Sequence, residues 1–330
     1  MSASMNNERQ RDIWDVFAGA ALGTLVGDAF GAQVEGWDPE QIEREYGLLS
    51  TPIGGVYTDD TQMMIGLMEA LAECTRVGHD FSAAVLQDAA ARMFLANFDP
   101  SRGYGRRILG VMRRIESGLP ANMVGTDSWG NGAAMRIAPV GMFFYDDDRR
   151  LIDMAVHTAE ITHTHPAGIA GAVAQAVAVG RAARHALTGI DFSVQALIDD
   201  AAHAAGEFDE DTAHEISRIR SLTADDLDGA IREIRAAFSR DVSAPGAVPA
   251  ALAAFVLIHR IEGGFSDVVM AAVNSGGDTD TIGAMAGAVA GAFWGQASIP
   301  KQWLDVMENG EKGKDYISEL ASRLAEMKHA

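Results

Sequence analysis

The chain has 330 residues, 48% of them hydrophobic, so its length allows one large domain or two small ones around a sizeable core. Its 26 basic and 46 acidic residues give a formal charge of −20. This charge argues against a nucleic-acid groove or an anionic membrane surface, because both attract proteins rich in lysine and arginine. The single cysteine, Cys74, excludes an intrachain disulfide and fits a reducing, cytoplasmic compartment.

No segment predicts export or membrane insertion. Residues 1–15 are polar and charged, without the apolar core of a signal peptide, and we expect residues 1–10 to be flexible. The uncharged run over residues 281–300 consists mostly of Ala, Gly, Ser and Thr, which drive insertion poorly. We interpret it as a buried helix. Because no linker-like segment interrupts the chain, residues 1–330 are predicted to form a single soluble domain.

Helical patterns run from one end of the chain to the other, whereas β-branched runs with a period of two are almost absent. Ser82, Thr223 and Ser266 are predicted N-cap or first-turn residues. The sequence therefore predicts an all-α fold, with element boundaries good to about 2–4 residues. In chain order, the predicted helices span residues 10–33, 59–78, 82–97, 103–117, 131–144, 150–162, 166–187, 193–204, 211–221, 224–239, 249–262, 265–273, 279–295 and 311–328.

Two of the predicted helices carry a glycine at every fourth position. A glycine inside a helix costs about 0.5–1 kcal/mol relative to alanine, and residues four apart lie on one helix face. Each helix therefore presents a glycine ridge that lets another backbone approach closely. Tight packing is enough to explain the glycines. Because acidic residues lie on or next to both ridges, close packing of the two helices would also bring these acidic residues together. The two ridges are Gly19, Gly23, Gly27 and Gly31, and Gly283, Gly287, Gly291 and Gly295.

Two short segments are rich in oxygen ligands, and each follows a glycine pair and opens an apolar helix. A helix cap explains either segment alone, because Thr and Asp accept hydrogen bonds from first-turn N–H groups. Two such segments with doubled carboxylates favour a pair of Mg²⁺ or Mn²⁺ ions, since neither contains the Cys or His that zinc prefers. The first acidic cluster comprises Thr58, Asp59 and Asp60, and the second comprises Asp278, Asp280 and Thr281.

Asp28 and Glu35 belong to the first glycine-ridged helix and its end. A buried aspartate is costly unless it is paired, so either the helix surfaces at Asp28 or the close packing gives Asp28 a partner. Glu35 is either a solvent-exposed residue without a role or a neighbour of the acidic clusters.

Two further segments offer substrate-binding groups. Asn131 and Gly132 form a turn signal before a predicted helix, whose free N–H groups would bind an anion; a plain loop-to-helix junction is the alternative. His163 and His165 make a poor zinc site, so a single histidine that bonds a substrate or a carboxylate is favoured. The loop containing Tyr104 could flank a pocket. A surface or core position is the default for His165, His157, His79 and His185.

In this order, the segments resemble the ADP-ribosylglycohydrolase family. The resemblance covers most of the chain, and the combination of motifs carries it rather than any one of them. The expected metal positions show no departure from the family pattern, which disfavours the inactive, crystallin-like branch. The matching stretches are residues 19–35, 57–63, 130–136, 162–172 and 274–295.

The resemblance implies a compact, orthogonal multi-helix bundle with two Mg²⁺ or Mn²⁺ ions at its centre. It implies that the two acidic clusters provide the metal ligands and that Glu35 lies beside them as a gating or proton-handling residue. The general base is left open among Asp59, Asp60 and Asp278. The resemblance implies that Asn131, Gly132 and His163 line the ADP-ribose groove, and Ala133 and Tyr104 are further candidates for substrate binding.

The family cleaves the bond between C1″ of ADP-ribose and an acceptor side chain, often arginine and sometimes serine. The implied partner is therefore an ADP-ribosylated protein or a small ADP-ribosyl conjugate. Two alternatives remain. The chain could bind ADP-ribose without turnover, or residues 278–281 could be the DxDxT motif of a phosphatase, which normally ends a β-strand.

Overall fold

The computed structural model describes residues 11–78 and 80–329, so residues 1–10, His79 and Ala330 lie outside the described part of the chain. Within it, the regular elements are helices, with isolated β-bridges at Thr126/His163 and Gly130/Ser243, which confirms the all-α prediction. The α-helices are α1 Ile13–Gly31, α2 Pro39–Tyr46, α3 Asp59–Val77, α4 Ala83–Asn97, α5 Arg106–Glu116, α6 Ala138–Phe143, α7 Asp148–Glu160, α8 Pro166–Thr188, α9 Val194–Gly206, α10 Glu210–Arg218, α11 Leu227–Ala237, α12 Ala244–Arg260, α13 Phe265–Asn274, α14 Thr279–Trp294, α15 Lys301–Val306 and α16 Lys314–His329.

The centre of the fold is the pair α1 and α14, which pack antiparallel along their glycine ridges. A Cβ atom added to Gly23 would overlap the carbonyl oxygen of Gly287, and one added to Gly27 would overlap that of Gly283. Both helices are buried almost from end to end. The predicted close approach of the two backbones is confirmed, and it brings the C-terminal end of α1 next to the N-terminal end of α14.

The other helices form layers around this pair. Helices α8, α12 and α13 pack on α14, whereas α3 and α16 pack on α1. Helices α4, α7, α9 and α10 pack outside these.

The segment Ile13–Val34 is long and apolar enough to cross a membrane, with a mean hydropathy of 1.3, but 83% of it is buried inside the protein. This burial is what a core helix shows.

One predicted helix is shorter than expected. Residues 131–137 form turns, and α6 begins only at Ala138. The backbone N–H of Asn131 donates to the carbonyl oxygen of Val242 at 3.0 Å, and Asn131 accepts from Ala134 at 2.8 Å. These bonds form a turn, and Pro139 then sets a new helix start. The predicted helix start at Asn131 was therefore wrong, whereas anion binding by the backbone N–H groups that follow Asn131 stays a prediction.

Other helix boundaries differ from the predicted ones because of local capping residues. Ser82 caps α4 as predicted, but Asp226 rather than Thr223 caps α11. Ser243 caps α12, so that helix begins at Ala244 and contains Pro249 instead of starting there. The short helices α2 and α15 were not predicted.

Candidate metal and substrate site

The first acidic cluster is held in place by Asp28, near the C-terminal end of α1. Asp28 is fully buried, and its carboxylate accepts hydrogen bonds from the backbone N–H of Thr58 at 3.0 Å, from that of Thr61 at 3.1 Å and from the Thr61 hydroxyl at 2.6 Å. Burial raises the pKa of Asp28 to about 6, although these hydrogen bonds lower it. The alternative in which α1 surfaces at Asp28 is wrong, and Asp28 joins α1 to the start of α3.

Within the first acidic cluster, Thr58 is a helix cap but Asp60 is not. The Thr58 hydroxyl accepts from the N–H of Asp60 and donates to Asp60 Oδ2 at 3.2 Å. The buried Oδ1 of Asp60 has no hydrogen-bond partner. Burial, followed by the charge of Asp280, raises the pKa of Asp60 well above its usual range. Burial also raises the pKa of the neighbouring Asp59 to about 7. An unpartnered buried carboxylate oxygen is rare, and it suits a cation.

The second acidic cluster follows a loop that only glycine accommodates well. Gly276 and Gly277 have φ angles of +74° and +88°, in the left-handed region. The N–H of Gly277 donates to the carbonyl oxygen of Trp37 at 2.9 Å, and the N–H of Asp278 donates to that of Arg240 at 2.9 Å. The loop therefore lies between two distant chain segments, which fix where α14 begins.

Asp278 does not cap α14, because its side chain accepts no hydrogen bond from a backbone N–H group in the first turn of that helix. It accepts instead from the side-chain amide of Asn131. The helix-cap interpretation therefore fails for Asp278. The phosphatase interpretation fails as well, because a glycine loop rather than a strand precedes Asp278 in the described chain. Asp280 accepts from the N–H of Thr281 at 2.8 Å.

Carboxylates from distant parts of the sequence meet at this end of the α1–α14 pair. One oxygen from each of Glu35, Asp278 and Asp280 lies within 4.8 Å of the others. Burial, followed by the charge of Asp278, raises the pKa of Glu35, and burial with the same neighbour raises that of Asp280. Crowded carboxylates repel each other, and a divalent cation with hard-oxygen preference removes that cost. The residues present therefore fit Mg²⁺ or Mn²⁺.

The acidic residues line one side of a cavity of about 580 Å³. The cavity brings together most of the predicted site residues, which are Glu35, Asp59, Asp60, Asn131, Gly132, His163, Asp278, Asp280 and Thr281. A second cavity of about 600 Å³, between α3, α4 and α16, contains none of the predicted site residues in the described chain.

Three predicted residues do not line the cavity. The Thr58 hydroxyl bonds to Asp60, and Ala133 is fully buried in the turn that follows Gly132. The Tyr104 hydroxyl donates to the side-chain oxygen of Gln62 at 2.9 Å. The neighbours of Tyr104 in its loop, Gly103 and Gly105, line the cavity instead.

His163 lines the cavity and is mostly buried. Burial, followed by the positive charges of Arg136 and Arg107, lowers the pKa of His163 to about 3, so its imidazole is neutral. Three other histidines have local roles. The ring of His165 accepts from the N–H of Ala167 at the start of α8, and the rings of His157 and His185 bond to backbone oxygens.

Several cavity residues received no role from the sequence. Arg106 and Arg107, at the start of α5, bring positive charge to a cavity with many carboxylates, which helps an acidic protein to accept an anion. Asp241 also lines the cavity, and its charge adds to burial, the larger cause, in raising the pKa of Asp278. Arg136 also lines the cavity and is almost fully buried. The sequence contains one signal for Arg136, its place at the end of the motif of residues 130–136. A buried arginine needs hydrogen-bond partners, so a structural role could have been expected there.

The sequence matches the ADP-ribosylglycohydrolase family over residues 9–330. An uncharacterised protein of Archaeoglobus fulgidus is 30% identical over 94% of this chain and 96% of its own length. The ADP-ribosylhydrolase ARH3 of Danio rerio is 29% identical over 94% of this chain and 90% of its own, and that of Homo sapiens is 26% identical over 90% of each.

A solved structure of an ADP-ribosylglycohydrolase-related protein complex has a TM-score of 0.69 and 25% sequence identity, over 96% of this chain and 99% of that one. The family match extends over the elements that carry both acidic clusters and the cavity. The chain therefore belongs to the ADP-ribosylglycohydrolase family, whose members are glycohydrolases that act on ADP-ribosylated substrates.

Proposed function

We propose that the protein hydrolyses the bond between C1″ of the distal ribose of ADP-ribose and an acceptor, which is a protein side chain or a small molecule. The observation that carries this proposal is the meeting of Glu35, Asp278 and Asp280 in one cavity with the unpartnered Oδ1 of Asp60. Glycosidic hydrolysis needs an activated water and help for the leaving group, and both require carboxyl groups near the anomeric carbon.

Two divalent cations, Mg²⁺ or Mn²⁺, would be held by Thr58, Asp59 and Asp60 on one side and by Asp278, Asp280 and Thr281 on the other. Ions bound there would supply positive charge that offsets the carboxylates and polarises oxygen atoms. The support is the donor set, which consists of carboxylate and hydroxyl oxygens. The single-domain organisation and the cytoplasmic location expected from the sequence belong to the same proposal.

The protein's own groups perform the proton transfers in this proposal. Asp59, Asp60 and Asp278 are the candidate general bases, and each lines the cavity. Glu35 is exposed at the edge of the acidic group and has a raised pKa. A carboxyl group of this kind is suited to exchange protons with the leaving group or with solvent. Asn131, Gly132 and His163 line the same cavity and would contact the ADP-ribose.

The experiment that tests the proposal is hydrolysis of ADP-ribosyl-arginine and ADP-ribosyl-serine peptides with Mg²⁺, Mn²⁺ or a chelator. We expect free ADP-ribose to be released from one of the two peptides with metal and not with chelator. Binding of ADP-ribose without turnover of either peptide would contradict the enzyme and support the binding module instead.

Asp280→Asn tests the metal assignment. We expect it to reduce turnover by about 100-fold or more and to weaken metal binding, measured by calorimetry, at the same time. Asp305→Asn is the matched control, because Asp305 is exposed and pairs only with Lys301 in the described contacts. Normal turnover of Asp280→Asn at an ordinary metal concentration would contradict the binuclear site.

A further inference from the structure

The ring of His163 is held between two glycines. A Cβ atom added to Gly132 would lie 3.1 Å from His163 Cε1, and one added to Gly168 would lie 3.2 Å from His163 Cβ. These separations are tighter than almost all real Cβ contacts, so larger residues would displace the ring. The Nε2 edge of the ring faces Gly130 and Gly132, which line the cavity. Packing therefore fixes the orientation of the ring and directs Nε2 toward the cavity wall.

The other ring nitrogen, Nδ1, lies 2.7 Å from the hydroxyl oxygen of Thr162. Arg136 Nη2 lies 2.8 Å from the same oxygen, and a guanidinium group can only donate. Arg136 thus occupies one lone pair of the hydroxyl and leaves its proton available. The competing acceptor is the carbonyl oxygen of Ala159, 3.4 Å away, which already accepts from the backbone N–H groups of Thr162 and His163 at 3.0 and 2.9 Å.

The Thr162 hydroxyl is therefore placed to donate its proton to Nδ1 of His163. A neutral imidazole has one N–H donor and one acceptor nitrogen, so acceptance at Nδ1 leaves the proton on Nε2. The Arg136 guanidinium is fixed as well, since it also donates to the carbonyl oxygens of Gly132 at 2.8 Å and Thr158 at 3.0 Å. One buried cation thus holds both the turn that packs on the ring and the hydroxyl that orients it.

We propose that Arg136 and Thr162 are positioning residues that hold His163 as the neutral Nε2–H tautomer, so that it presents a hydrogen-bond donor to an oxygen atom of the bound substrate. The nature of that substrate rests on the proposed function, whereas the tautomer does not. The low pKa of His163 agrees with this arrangement, because burial and the nearby Arg136 both disfavour a second proton.

The tautomer is tested by NMR of the side-chain nitrogens in protein labelled with ¹⁵N-histidine, at pH 7 and without substrate. We expect a protonated Nε2 and an unprotonated Nδ1 for His163, assigned with a His163→Gln sample. In Thr162→Val we expect this single form to be lost, and in Thr162→Ser we expect it to be kept. A wild-type His163 that is charged, or protonated at Nδ1, would overturn the proposal.

Thr158→Val is the matched control. It removes a hydroxyl that is buried one turn earlier and bonds only locally, to the carbonyl oxygens of Met154 and Ala155. The carbonyl group of Thr158 that Arg136 uses is unchanged. We expect the wild-type tautomer in this variant. Loss of the tautomer in both variants would mean that general loosening of this region, rather than the Thr162 hydroxyl, is responsible.

Kinetics separate positioning from folding. With an ADP-ribosyl peptide, Thr162→Val should lower kcat/KM by about 10-fold, the size of one lost hydrogen bond to a charged group, and Thr162→Ser should restore it. If no ADP-ribosyl peptide is turned over by the wild type, the proposed function fails but the NMR result still decides the tautomer. A normal tautomer in Thr162→Val, at whatever rate, would overturn the role of Thr162.

Discussion

The two acidic clusters face the same cavity but are held by different kinds of interaction. The first is held by side chains: the carboxylate of Asp28 binds Thr58 and Thr61. The second is held by backbone: glycine φ angles, backbone hydrogen bonds and the close packing of α14 on α1. Substitutions that change polar groups should therefore disturb the first cluster, whereas small increases in side-chain volume should disturb the second.

The side-chain support of the first cluster extends to the C-terminal part of the chain. Glu308 accepts from the N–H of Tyr57 at 2.9 Å, and Arg102 donates to the carbonyl oxygen of Tyr57 at 2.8 Å. The Arg102 guanidinium also pairs with Glu308 and lies 3.9 Å above the centre of the Tyr57 ring. Two distant segments, those of Arg102 and Glu308, therefore fix Tyr57, the residue that precedes Thr58.

The largest effect on stability is expected from the crowded carboxylates, which both clusters contain. Without metal, burial raises the pKa of Asp59 from 3.8 to about 7. The folded protein then keeps a proton that the unfolded chain releases between about pH 4 and pH 7, so its stability falls as the pH rises through that window. Asp60 and Asp280 have raised pKa values for the same reason, so we expect the crowded carboxylates together to cost on the order of a few kcal/mol. Urea unfolding of chelator-treated protein at several pH values measures this loss.

Metal should reverse that trend, because ligand carboxylates bind cations when deprotonated. With Mg²⁺ or Mn²⁺ present, we expect stability to rise from pH 5 to pH 8. Asp59→Asn removes one of the repelling charges, so it should stabilise the chelated protein at pH 8. A chelated wild type whose stability is independent of pH would contradict the crowding of the two clusters.

The next largest effect is expected from a substitution that disturbs the backbone packing behind the second cluster. Gly287→Ala places a methyl group against the carbonyl group of Gly23, and backbone cannot move aside as a flexible side chain can. We expect a loss of about 3 kcal/mol in the free energy of unfolding. Gly110→Ala is the control, because a Cβ atom at this position in α5 meets nothing within 4 Å. It should be neutral or stabilising by about 0.5–1 kcal/mol. Equal losses in the two variants would remove the special role of the ridge.

A smaller effect is expected when Asp28, whose carboxylate holds the first cluster in place, is replaced. Asp28→Asn keeps the size of the side chain but replaces one acceptor oxygen with a donor that faces the N–H groups of Thr58 and Thr61. We expect a loss of about 2 kcal/mol, together with weaker metal binding, since the start of α3 is no longer fixed. Thermal unfolding and metal titration measure the two changes. Unaltered metal affinity would show that Asp28 supports the fold but not the cluster.

The sequence predicted the features that have short sequence signatures. A glycine every fourth residue is unusual enough to predict the α1–α14 contact, and doubled carboxylates after glycine pairs predict both clusters. It did not predict features that depend on distant segments. Asp241 reaches the cavity because the neighbouring Arg240 accepts from the N–H of Asp278. Residues 131–137 form turns because Asn131 bonds to Val242. Neither hydrogen bond can be predicted from a local sequence pattern, because its two residues are far apart in the sequence.

The smallest effect tests how far the support of the first cluster extends. Arg102→Ala removes two hydrogen-bond donors and the contact with the Tyr57 ring, and we expect a loss of about 1–2 kcal/mol. Arg92→Ala is the matched control, because Arg92 pairs with Glu73 on a more exposed surface and should matter by less than about 1 kcal/mol. Metal titration is the decisive measurement. If Arg102 acts on Thr58 through Tyr57, its removal weakens metal binding while Arg92→Ala does not. Unchanged metal binding in both variants would limit the side-chain support of the cluster to Asp28.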